Sequence, residues 1–108
     1  INKKQNLFTL LIVTFDKNSF EYPAERNQGF IDAGLYAMSV MYSLTHLGAA
    51  SCPLNSNIGL KERKLIKRAA GISENYTIAM FIAVGNYLEM NTSPISHRYT
   101  AKEKTTLI

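Results

Sequence analysis

The sequence holds one cysteine, three prolines, two histidines and no tryptophan in 108 residues. A single thiol cannot close an internal disulfide, so this is not a disulfide-held scaffold, and a reducing cytoplasm is the expected compartment. No histidine or second cysteine stands at a telling spacing from Cys52, which argues against thiol catalysis and against a metal site. Paired carboxylates and a glycine-rich phosphate loop are missing too, and no catalytic residue is assigned. No apolar run reaches the ~20 residues that cross a bilayer, and no signal-peptide pattern opens the chain, so no membrane partner is expected. Acidic residues are scarcer than basic ones, 8 against 12, which leaves a net charge of +4. That excess permits nucleic-acid binding, but the aromatics are not interleaved with the basic residues, and no nucleic-acid partner is expected.

Apolar residues are not scarce. At 46% they suffice for a core and exclude a disordered chain. The length suits one domain or part of one. The chain is organised around Asp32 to Asn55, which reads as a long helix, a glycine stop and a short segment ending Cys-Pro-Leu-Asn. At ~100° per residue Asp32, Tyr36, Ser39, Ser43 and His46 share one narrow polar stripe, and most of the remaining circumference is apolar. A helix of that kind is expected to be wrapped by protein, and Ala33, Gly34 and Ala37 would let another helix approach. Gly48 suits the left-handed turn that ends a helix. Ala49 to Cys52 are small enough for a short buried strand, which Pro53 would halt.

On either side the pattern is simpler. Ile1 to Asn6 reads as frayed, and Leu7 to Phe15 as a strand covered on both faces. Asp16 to Ser19 is a turn, and the segment from Phe20 to Phe30 a surface loop leading to a helix start around Gln28 to Ile31. Leu60 to Ala70 reads as an amphipathic helix with Leu65, Ile66, Ala69 and Ala70 inward and Gly71 as its stop. Lys61, Arg63, Lys64, Lys67 and Arg68 then make its solvated face. Thr77 to Val84 reads as a central strand ended by Gly85, and the tail from Asn91 shows no helical period.

Two places could carry chemistry. The segment Cys52, Pro53, Leu54 and Asn55 offers a proline-stiffened backbone whose N–H groups need not be committed to a ladder; read from its residues alone, a tight turn after a strand is the better account. Arg98, in Pro94-Ile95-Ser96-His97-Arg98, presents a guanidinium fork suited to a phosphate, or else is an exposed arginine in a tail. Cys52 is taken as packing material, and His46 and His97 as surface residues.

The order of these pieces resembles the nitroreductase-like flavoenzymes. The carriers are Asp32-Ala33-Gly34 on the long helix, Gly48 with Ser51-Cys52-Pro53-Leu54-Asn55, and the apolar strand running into Val84-Gly85-Asn86-Tyr87. The resemblance spans Leu7 to about Arg98. It implies an α+β sandwich, mostly antiparallel sheet with a long central helix, in which two subunits wrap each other and hold FMN between them. It implies a ping-pong oxidoreductase that passes hydride from NAD(P)H through FMN to a nitro compound, a quinone or a similar small-molecule acceptor. Cys52, Pro53, Leu54 and Asn55 would then line the isoalloxazine, Arg98 would contact the FMN phosphate, and Ser96 falls near a position that is often lysine. The Arg-rich opening segment of the family has no counterpart here, so the chain is expected to be the C-terminal part of such a domain. The alternative is a flavin-less dimerisation or interaction module without activity.

Overall fold

In the computed structural model, which describes residues 9–90 and 92–108, two apolar runs become the first and middle strands of a three-stranded antiparallel sheet. The elements follow in the order β1 (Thr9–Asp16), α1 (Gln28–His46), β2 (Ala50–Leu54), α2 (Leu60–Ala70), β3 (Tyr76–Gly85) and a single-turn α3 (Ala101–Lys104). The sheet order is β1-β3-β2. The frayed start expected for Ile1 to Asn6, and the strand start at Leu7, lie outside the described residues.

β3 takes the centre because its run is the longest and most continuously apolar, and a strand paired on both edges is the one that water reaches least. Thr9 pairs with Val84 and Val13 with Met80. The register then slips by one, so that Thr14 faces Ile78 and Ala79 forms a bulge. On the other side Cys52 pairs with Ala83 and Leu54 with Phe81. β1 is less covered than its composition suggests: Thr9 and Leu10 are exposed, and Val13 alone is fully buried.

The long helix forms as expected and crosses one face of this sheet. Ala33 and Ala37, 5% and 1% exposed, pack with Val13 and Ile82, and Leu11, Val40, Met41, Met80 and Val84 surround them. At the helix start Gly29 lies against the Phe15 ring, where a β-carbon would overlap it. Phe20 and Phe30 hold that ring edge-on, with centroids 6.0 and 4.9 Å away. Gly48 ends the helix turn with φ +81° and Gly71 ends α2 with φ +68°, both in the left-handed region that glycine enters at no steric cost.

Within its own chain the long helix is covered on one side only: it buries Gly29, Ala33 and Ala37, while Ile31, Leu35, Met38 and Tyr42 stay 45–67% exposed. Three expectations need correction. Pro53 does not halt β2 but pairs with Ile82 inside it. Proline is tolerated there because β2 is an edge strand, whose outward N–H positions owe nothing to the ladder. Nor is the segment buried: Ala50 and Ser51 are half-buried and Cys52 to Leu54 exposed. Finally, α2 turns a different side inward. Leu65, Ala69 and Ala70 are exposed, and Arg63, Ile66 and Lys67 are half-buried.

Candidate functional site

The edge strand β2 presents the first group of candidate residues. Ala50, Ser51 and Cys52 with Ala83, Val84 and Gly85 of β3 line a shallow depression of about 220 Å³. Its side chains are small and nearly all apolar, so a flat ring could lie against them without displacing bulk. It is also smaller than the ~300–1,000 Å³ of a complete ligand pocket, so these residues make one wall. Cys52 Sγ lies 3.7 Å from the Pro53 carbonyl, and the thiol is exposed. The wall includes Ala83, which reads in the sequence as an ordinary strand residue, and Gly85, which reads there as the stop of the strand.

The loop after β2 is firmly tied. Asn55 Oδ1 accepts from the Asn57 N–H at 3.1 Å, which closes a side-chain turn. Ser56 Oγ donates to the Ala79 carbonyl at 3.1 Å, across the bulge. Arg63 reaches back from α2 and donates to the Ser56 carbonyl at 2.6 Å and the Ile78 carbonyl at 3.3 Å. Arg63 is therefore a strut between helix, loop and central strand, and not part of a solvated basic face. Its position in a row of five basic residues hid that role in the sequence.

Ser96 and Arg98 lie in the tail, exposed and outside any helix or strand. Arg98 makes no hydrogen bond or ion pair among the described residues, and neither residue is brought to β2 by any described contact. Around them the tail has local order. The His97 and Tyr99 rings meet edge-on at 5.1 Å, and Lys104 Nζ sits 3.9 Å from the Tyr99 ring centre. Thr100 caps α3, and Glu103 Oε2 accepts from the Thr100 N–H at 2.6 Å and its hydroxyl at 2.8 Å. Those two bonds, the backbone one first, hold the Glu103 carboxyl below its ordinary value. The Thr-x-x-Glu spacing announces this cap in the sequence.

Among the described residues no helix is long and apolar enough to cross a membrane, and no group of three or more His, Cys, Asp or Glu side chains converges. The model of the nitroreductase family matches residues 8–86, from the first strand to the end of the last. The chain belongs to the nitroreductase family. Among solved structures, this nitroreductase-family chain is similar to ydfN of Bacillus subtilis, described as a nitroreductase, with a TM-score of 0.65 at 23% identity. At that identity the likeness speaks for the fold. The match covers 84% of this chain and 42% of ydfN, so the chain spans less than half the length of that relative. A search of curated proteins finds no match. The α+β class and the antiparallel sheet expected from the sequence thus hold, and so does the family.

Proposed function

We propose that this chain supplies one wall of an FMN site in a nitroreductase-type oxidoreductase, as part of a domain that a further segment and a second copy complete. The observation that carries the reading is the small-residue depression on β2 and β3, within the residues that match the family. Cys52, Pro53, Leu54 and Asn55 would hold the ring edge through the outward backbone of an edge strand, whose N–H and C=O groups alternate between the ladder and open space. When bound, FMN supplies the hydride chemistry that links NAD(P)H to a nitro compound, quinone or similar acceptor. The chain's own residues bind and orient: Ala50, Ala83 and Gly85 keep the wall flat, and the Ser56–Arg63 strut fixes the loop that follows it. Arg98, with Ser96, is the anchor proposed for the phosphate.

The test is an FMN titration of the purified protein, followed by flavin fluorescence and visible absorbance. Ser51→Trp fills the depression and should weaken FMN by about tenfold or more, while far-ultraviolet circular dichroism stays unchanged. FMN binding that Ser51→Trp leaves untouched would overturn the assignment of the wall. The exposed, unpaired state of Arg98 and Ser96 favours a second reading, an interaction module that holds no flavin. Absence of any FMN binding in the protein completed by its remaining segment would decide for that one.

A further inference from the structure

A second concavity, of about 140 Å³, lies between α2 and the start of β3 and shares no residue with the depression on β2. Leu60 and Ile78 give it apolar walls, while Arg63, Lys64 and Lys67 face it from one side of the helix. Glu74 is its one acidic residue, so two positive charges are in excess. The Lys67 side chain is only 12% exposed, yet its ammonium makes no hydrogen bond among the described residues. Its one ion-pair partner among the described residues, Glu74 Oε2, is 3.8 Å away, beyond hydrogen-bonding distance. Arg63 is satisfied by neutral acceptors, the Ser56 and Ile78 carbonyls, which leave its charge uncompensated. Lys64 has no partner among the described residues.

A partly sheltered ammonium with free donors, beside an uncompensated guanidinium, is a setting that favours an anion with several acceptor oxygens. The volume admits a tetrahedral oxyanion and is too small for a nucleotide or another ligand of that size. We infer that this pocket binds a phosphate group, either the free anion or the end of a phosphomonoester whose remainder stays in solvent.

The experiment is a thermal-shift titration of the whole protein with inorganic phosphate against sodium chloride at matched ionic strength. A saturable rise in Tm with phosphate alone is expected. Lys67→Gln keeps the buried stem, and Lys64→Gln alters only an exposed side chain; each should raise the phosphate midpoint about tenfold or more, the effect of one lost charged contact. If Lys67→Gln does not fold, Lys64→Gln carries the comparison. A parallel titration with phenyl phosphate separates the two sources: a lower midpoint than inorganic phosphate marks a phosphomonoester, and an equal one marks the free anion. A phosphate response no larger than that of chloride, or a midpoint that the substitutions leave in place, overturns the inference.

Discussion

At the scale of single residues, close approach and charge make the sharpest demands. Gly29 is required because the Phe15 ring occupies the place of a β-carbon, and Phe20 and Phe30 keep that ring from swinging aside. Gly29→Ala should therefore act as overpacking and cost about 1–3 kcal/mol, read as a lower midpoint in urea unfolding. A neutral result would mean that the three rings shift together. Arg98 makes the opposite case, since it has no hydrogen bond or ion pair among the described residues. If it anchors the FMN phosphate, Arg98→Ala should weaken FMN by about 1.5–3 kcal/mol, the range for a hydrogen bond to a charged group. Riboflavin, which lacks the phosphate, should be nearly unaffected, and equal losses for both would assign Arg98 to structure instead. The demand on Gly29 is not visible at its own position in the sequence, where it reads as a loop glycine, whereas Arg98 stands out there as a guanidinium fork suited to a phosphate.

At the scale of elements, what was legible followed from local rules. The bounds of α2, the glycine stops at Gly48 and Gly71 and the central place of β3 depend on capping, backbone freedom and continuous hydrophobicity, all carried by neighbouring residues. What was not legible depends on the partner across the sheet. Pro53 looked like a stop because its edge position is set by β3, 29 residues downstream, as Ile82. The inward face of α2 was misassigned because Arg63 and Lys67 lie inward, and the alkyl stems of long cations pack as readily as Leu65 does. α3 was missed because a single turn has no period, although its Thr100–Glu103 cap is local. That cap gives a pH prediction. The Glu103 carboxyl titrates below its ordinary value of 4.5, so its contribution to the cap is present above about that pH and fades as pH falls through the lowered value. Amide protection and chemical shifts at Thr100 and Glu103 should follow that titration, and Glu103→Gln should abolish the dependence. Shifts that move with an ordinary glutamate value would show the bonds to Thr100 to be absent in solution.

At the scale of the whole molecule the surface is too large for the mass. A compact chain of 12.1 kDa exposes roughly 6,000 Å², whereas this one exposes 9622 Å². Its radius of gyration is 17.5 Å, against about 13 Å for a compact chain of this length. Part of the excess has a defined shape. Ile31, Leu35, Met38 and Tyr42 recur at i, i+4, i+7 and i+11, which places them within an arc of about 60° on α1, opposite the side that Ala33 and Ala37 bury. The helix thus carries two apolar stripes and can be the middle layer between its own sheet and another body. The neighbouring hydroxyls do not oppose such contact, because Ser39, Ser43 and Thr45 already donate to the carbonyls of Leu35, Ser39 and Met41. We therefore expect the protein to self-associate through this stripe. The natural probe is not Ala37, which is 1% exposed against the sheet and whose replacement by aspartate would unfold the chain. Leu35 is 67% exposed in the single chain, so Leu35→Asp should spare the fold and strike only the contact. Burying one leucine is worth about 1.5–3 kcal/mol, and a two-fold contact contains it twice. The dissociation constant should then rise by roughly two to four powers of ten, measured by sedimentation equilibrium. A wild-type protein that stays monomeric at micromolar concentration and unfolds cooperatively would refute the contact, and so would a dimer indifferent to Leu35→Asp.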